Sequence, residues 1–411
     1  MPSTPTPTHV SAITVTSAIG PGMRALAEAM KTGRSGLQPL DERPLGQHPP
    51  LARLPTWVGR VEGLDTPLPP TWQPWDCRNH RLAWQALQGD GFTAAVQAVV
   101  ERHGPGRVAL VLGTSTSSIG ATEDAYRGLA QGEPFPSGKA ATRLYSLHAL
   151  AHFVRAVLGL GGVTQTVSTA CTSSAKAFCT AERLLRLDLA DAVVVGGADS
   201  LCASVLFGFH ALQLVSPEPC RPFDRRRQGI NLGEAAGFAL LERGPGPLQL
   251  LGWGESSDAH HMSAPHPQGL GAEQALDQAL ASAGLDADAI DFVHLHGTAT
   301  PQNDEVEAAL LLRRFSQHTH AASTKGMTGH TLGAAGILGT AFCLQALQTG
   351  WMPGTVQTTD PDPAFGGRIA LTPRQTEVRV AACHAFGFGG TNCVLLWGRD
   401  PAGTAEDADH G

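Results

Sequence analysis

The chain has 411 residues, 42% of them hydrophobic and 16% charged, with a formal net charge of −7. That length exceeds one ordinary core and calls for two fused halves or two domains. The acidic balance gives no global reason to bind nucleic acid, and no run of about 18 consecutive apolar residues is present to cross a membrane.

Residues 1–9 are rich in Pro, Thr and Ser and carry neither a basic nor an apolar block, so no secretory signal is expected. The eight cysteines (Cys77, Cys171, Cys179, Cys202, Cys220, Cys343, Cys383 and Cys393) show no C-x-x-C spacing. They are read as reduced thiols of a cytoplasmic protein, not as a disulfide framework or a zinc site.

In chain order, residues 10–17 alternate apolar and polar side chains and predict a first strand. A Gly-Pro-Gly turn at 20–22 leads to an amphipathic helix over 23–30. Residues 39–74 are proline-dense and predict an extended surface loop. The pattern then gives a helix over 81–103, a buried strand over 108–113, a small-residue loop over 114–120 and a helix over 143–158. Residues 167–178 read Val-Ser-Thr-Ala-Cys-Thr-Ser-Ser-Ala-Lys-Ala-Phe. A strand ends at Cys171, and a helix follows to 187. Another buried strand covers 192–197.

The pattern resets at 248–253. Helices are expected at 272–283, 304–314 and 332–348, and strands at 292–296, 378–384 and 392–397, the last two joined by Phe-Gly-Phe-Gly-Gly-Thr at 386–391. Residues 401–411 are acidic and predict a frayed end. Alternating buried strands and helices predict α/β with covered sheets. The halves divide near 243–248, into 1–245 with the cysteine loop and 246–411 with the histidine, lysine and glycine loops, around one shared core.

A cysteine where a helix begins is favoured as thiolate by the helix dipole and free N–H groups. The duller alternative is an inert core thiol. The second half adds His-Gly-Thr-Ala-Thr-Pro at 296–301, Glu307 eleven residues after His296, Ser-Thr-Lys-Gly-Met-Thr-Gly-His at 323–330, and the loop 387–390. Each could be structural alone. Together they lie at carboxyl ends of strands, where α/β folds build clefts. One thiolate with two neutral imidazoles suits carbanion chemistry on thioesters. The sulfur carries an acyl group, and two imidazole N–H groups stabilise the enolate left by departing CO₂. Backbone N–H groups of Cys171 and Phe388 would hold the other oxyanion. Lys325 adds positive charge and, if buried, needs a partner, for which Glu307 is the natural candidate. His294 is read as structural.

These four motifs, with Arg-Pro-Phe-Asp at 221–224, Gly-Glu-Ala-Ala-Gly at 233–237 and Ser-Ser-Asp-Ala-His-His-Met at 256–262, resemble the elongating β-ketoacyl-[acyl-carrier-protein] synthases over nearly the whole chain. The resemblance implies a thiolase-like five-layered αβαβα fold of two similar halves, working as a homodimer or with a paralogous ketosynthase or chain-length factor. It implies Cys171 as acyl-carrying nucleophile, His296 and His330 as the decarboxylation pair, Lys325 as the supporting lysine and Glu307 as its acidic partner. Thr298 and Thr300 would hold the pantetheine arm. Phe388 would be the gating residue, and Gly389 and Gly390 in its loop would bind substrate. No cofactor or metal is implied, because acyl and malonyl groups arrive on the phosphopantetheine of an acyl carrier protein. The carrier is acidic, so a local basic patch is expected, with Arg78, Arg81, Lys139 and Arg225–Arg227 as candidates. The stretch Gly-Thr-Ser-Thr-Ser-Ser at 113–118 departs from the glycine-rich loop of housekeeping elongases and looks more like secondary-pathway synthases such as those of aryl-polyene assembly. Three rivals remain: a thiolase, a non-catalytic chain-length-factor-like partner, and a metal hydrolase using His260, His294, His296, His330 and Asp304.

Overall fold

The computed structural model describes residues 6–40 and 54–400. Its strands form two half-sheets with the same topology. The first contains β1 (Thr8–Ser17), β2 (Val108–Gly113), β3 (Thr164–Val167), β4 (Ala192–Asp199) and β5 (Ala235–Arg243), in spatial order β3-β2-β4-β5-β1. The second contains β6 (Leu248–Ser257), β7 (Phe292–His294), β8 (His320–Ala322), β9 (Val380–Gly387) and β10 (Thr391–Arg399), in order β8-β7-β9-β10-β6. In each half the first two pairings are parallel and the last two antiparallel. The halves join where β1 meets β6, at Thr8–Leu250 and His9–Gln249.

Three helices matter most for the site: α1 (Ser173–Arg186), α2 (Pro301–Arg314) and α3 (Ala335–Thr349). α1 and α3 lie between the half-sheets, in the largest apolar cluster. Outer helices cover the first half at Arg78–Leu87, Phe92–His103 and Ala149–Leu158, and the second at Leu270–Ala283 and α2. The result is the expected five-layered α/β architecture.

α3 carries no charged side chain, so both of its faces can face sheet. The stretch Leu332–Thr349 is long and apolar enough to cross a membrane, contrary to the expectation that no segment is. It is 83% buried inside the protein, which is the place of a core helix. The central helices touch through small residues. A Cβ on Gly336 would fall 2.3 Å from the Ala175 nitrogen, and the Ile337 N–H donates to Ser174 Oγ at 2.9 Å.

Several sequence expectations needed revision. Residues 81–103 form two helices, because the turn Gly89–Gly91 places Asp90 and Gly91 at positive φ. The helix expected over 143–158 begins only at Ala149, with a short helix Lys139–Leu144 before it. The helices Ile119–Ala130 and Ala203–Ala211 and the strand β5 carried too weak a periodicity to be expected. The proline-dense stretch is only partly a surface loop. Residues 41–53 lie outside the described residues, but Val58, Leu64 and Leu68 are buried, and Trp72 and Trp75 pack on Phe153 at 6.0 and 6.1 Å.

Close contact between the central helices makes one position testable. Gly336→Val forces α1 and α3 apart and should cost about 3 kcal/mol of stability, as overpacked cores do. Denaturant unfolding would read this as a lower midpoint, and an unchanged midpoint would contradict the packing.

Candidate active site

Cys171 ends the segment that follows β3, two residues ahead of α1. Ala170 before it is held at φ 52°. Its carbonyl accepts from Ser115 Oγ at 2.9 Å and Ser173 Oγ at 2.5 Å, which fixes the sharp turn presenting the sulfur. The expected thiolate is not what this setting favours. Cys171 is 5% exposed, and burial pushes its thiol up to about 11, against the lowering effects of Lys325 and the Phe388 backbone. The partial charge of a helix end is smaller than the cost of desolvating a full charge.

His330 Nε2 lies 3.0 Å from Cys171 Sγ, although 159 residues separate them. The His296 and His330 rings meet edge to face at 5.4 Å and 86°. Ligating atoms of Cys171, His296 and His330 all lie within 4.8 Å of one another. The tautomers follow from what each Nδ1 faces. The Leu332 N–H donates to His330 Nδ1 at 3.2 Å, and Lys325 Nζ faces His296 Nδ1 at 3.4 Å. A backbone amide and an ammonium can only donate, so each imidazole carries its proton on Nε2. Both Nε2–H groups therefore point into the cavity. Burial, then the Lys325 charge, holds both rings well below the usual histidine range, so they are neutral at pH 7.

His296 follows the end of β7. The Glu307 carboxylate on α2 accepts from the backbone N–H groups of His296 at 2.8 Å and Gly297 at 2.7 Å, and from His384 Nδ1 at 3.1 Å. Glu307 was expected to pair with Lys325. Instead Lys325 Nζ donates to the His296 carbonyl, and Glu307 acts on it only through longer-range attraction, because its oxygens are taken by these N–H groups. Burial lowers the Lys325 ammonium from its ordinary value. Asp304, pushed up to about 7 by burial, takes the Phe223 and Ala299 amides.

A cavity of about 310 Å³ reaches Cys171, His296 and His330. Thr298 and Thr300 line it and share a hydroxyl contact of 2.8 Å. Gly387 and Phe388 also line it. Gly389 sits at φ 79° and Gly390 at φ 72°, which lets this loop fold tightly over the sulfur. The Phe388 ring packs against Phe209 at 5.6 Å.

Asp199 was missed from sequence. Fully buried at the end of β4, it accepts from Thr114 Oγ1 at 2.5 Å, Thr116 Oγ1 at 3.0 Å, and the backbone N–H groups of Ser115, Thr116 and Gly333. It thereby ties the loop supporting Ala170 to the turn supporting His330. Only an Asp after a buried Gly-Gly strand hinted at it.

Most of the arginines expected to form a basic patch are turned inward or paired with carboxylates. Arg78 is 11% exposed and grips both oxygens of Glu234, and Arg81 is held by Asp76. Both border a separate cavity of about 620 Å³ and are turned inward. Lys139 is exposed. Arg225 and Arg226 are exposed but paired with Asp360 and Asp224, while the Arg227 side chain, 6% exposed, is held by Glu305 and Asp362.

Two rivals lose their geometry. The thiolase reading needs a second cysteine at the sulfur, but Cys393 points into the core, 3.6 Å from Cys179. Of the hydrolase residues, His296 and His330 meet, but His294 and His260 are turned elsewhere. His294 bonds Thr324 and stacks on Phe342, as its structural reading expected, and His260 is exposed. At His296 and His330, the Nε2 lone pairs a metal would need are occupied by protons.

Comparison with known proteins agrees with this geometry. The family models "Beta-ketoacyl synthase, N-terminal domain" and "Beta-ketoacyl synthase, C-terminal domain" match residues 76–245 and 249–359. Nodulation protein E of Rhizobium meliloti (strain 1021) is 36% identical over 309 residues, covering 71% of this chain and 75% of its own. The 3-oxoacyl-[acyl-carrier-protein] synthase 2 of Vibrio cholerae is 30% identical over 358 residues, covering 79% and 86%. A chain of the complex between the ketosynthase ApeO and its chain length factor ApeC from Xenorhabdus doucetiae superposes with a TM-score of 0.86 at 33% identity, covering 97% of this chain and 100% of that one. The chain belongs to the β-ketoacyl synthase family, and with its cysteine and both histidines in place it is a condensing acyltransferase of the thiolase fold.

Proposed function

We propose that the protein is a 3-oxoacyl-[acyl-carrier-protein] synthase that condenses malonyl-carrier with an acyl group held on Cys171. The observation that carries this is the pair of Nε2–H donors meeting beside one sulfur. In the first step Cys171 Sγ attacks the thioester carbonyl of an acyl carrier. The oxyanion accepts from the backbone N–H groups of Cys171 and Phe388. The carbon–sulfur bond to pantetheine breaks, and the proton lost by Cys171 leaves on the pantetheine thiol.

Malonyl-carrier then enters the same cavity, its pantetheine arm beside Thr298 and Thr300. Its thioester oxygen accepts from His296 and His330. The carboxylate leaves as CO₂, and the bonding pair becomes the enolate, which attacks the acyl carbonyl. A carbon–carbon bond forms, the bond to Sγ breaks, and the sulfur takes a proton from solvent. A thiol raised to about 11 favours that final protonation. Neutral imidazoles suit the enolate step, since they donate without first losing a charge to the substrate.

We also propose that the protein pairs with a second chain of the same fold, its own copy or a paralogue. Among the described residues the outer edge of β3 pairs with no strand, and Leu147 and Val163 beside it are 45% and 43% exposed. The helices Ile119–Ala130 and Lys139–Leu144 have no buried residue, and Tyr126 is 61% exposed. This unfinished face borders the larger cavity. Similarity to a chain of a ketosynthase–chain length factor complex supports such a partner. The 113–118 loop favours polyketide or aryl-polyene-type elongation over housekeeping fatty-acid synthesis.

Cys171→Ala should abolish the mass increment of acyl loading. Replacing both His296 and His330 with Ala should retain loading but cut CO₂ release from malonyl-carrier by roughly 100-fold or more. Loading that survives without Cys171 would defeat the scheme. Iodoacetamide labelling of Cys171 should climb about tenfold per pH unit from 7 to 10, because only the thiolate reacts. Lys325→Met should move that profile to higher pH, since the ammonium lowers the thiol; a plateau at neutral pH would contradict the buried thiol. Light scattering should give twice the 42.9 kDa chain mass for the purified protein or its complex. Val163→Glu should return the single-chain mass.

A further inference from the structure

His384 is a fully buried histidine outside the chemistry described above. It lies on β9, two residues before Phe386, so both side chains face the same side of the strand. Its Nδ1 is 3.1 Å from Glu307 Oε1. A carboxylate only accepts, so the proton sits on Nδ1, and Nε2 finds no partner among the described residues. The ring lies 5.8 Å from Phe315 and 5.2 Å from Phe386, and Phe386 in turn lies 6.0 Å from the His296 ring.

His384 therefore reaches His296 by two routes. Through Glu307 it orients the carboxylate that holds the His296 and Gly297 amides. Through Phe386 it supports the ring itself. Losing Nδ1–H would free one lone pair of Glu307 in a site without water access and let the carboxylate rotate. An error of that kind at His296 shifts a donor that must point at a developing charge. Cys171 is held by other groups, chiefly Ser115, Ser173 and Asp199. We propose that His384 is a positioning residue for His296, acting on the enolate-forming step and not on acyl loading. This rests on the condensing reaction proposed above.

The test compares His384→Phe, which keeps a ring and loses the donor, with His384→Asn, which keeps a donor near the position of Nδ1. Two readouts are needed. The first is the amide proton shift of His296 and Gly297 in selectively ¹⁵N-labelled protein. The second is CO₂ release from malonyl-carrier set against acyl loading of Cys171. His384→Phe should move both amide signals upfield and slow CO₂ release roughly tenfold, with loading within twofold of the wild type. His384→Asn should restore the signals and bring CO₂ release back to within about threefold. The proposal is overturned if the Phe variant leaves both amide signals in place, or if it slows loading as much as CO₂ release. Wild-type protein that loads acyl groups but releases no CO₂ would count against the condensing reaction, and the amide signals would still decide the role of His384.

Discussion

Everything in this fold serves one contact, the 3.0 Å approach of His330 Nε2 to Cys171 Sγ. The sulfur comes from one half of the chain and the imidazole from the other. Neither half contains a usable centre by itself. The contact survives because the halves share a central layer, where α1 and α3 are packed backbone to backbone at Gly336 and Ala175. Asp199 adds a polar stitch, accepting from both sides of the divide. Burying that carboxylate is costly, and its five donors offset the cost.

Burial decides the electrostatics of the site. Removing water raises the thiol, lowers both imidazoles and lowers the lysine, so every group is pushed toward its neutral form. Lys325 reinforces the imidazole shifts and opposes the thiol shift. Its main contact, the His296 carbonyl, keeps the cation beside the histidine loop. A centre of neutral donors facing a neutral thiol is suited to charge that appears only during reaction.

The repeated strand order has a mechanical consequence. The segments that follow β3, β7, β8 and β9 bring Cys171, His296, His330 and Phe388 to one cavity. Chemistry then depends on which side chain stands at each loop. The first half supplies the nucleophile and the clamp at Asp199, and the second supplies the donors.

Much of this was legible in sequence because local constraints leave local marks. Cys171 stands before a run of small helix-starting residues, and His296, Lys325, His330 and Phe388 lie in short motifs whose glycines permit tight turns. The buried strands β2 and β4 announced themselves as unbroken apolar runs, since both faces are covered. Weakly patterned elements did not: the helix Ala203–Ala211 has no distinct polar face, and β5, though also largely buried, contains no β-branched residue. What the tertiary structure alone decided was who faces whom. The partner of Lys325, the inward turn of Arg78, the neutral thiol, and the roles of Asp199 and His384 all depend on contacts across tens to hundreds of residues. Side-chain type records what a residue can do, while desolvation and the atoms brought within hydrogen-bonding distance determine which of those options it takes.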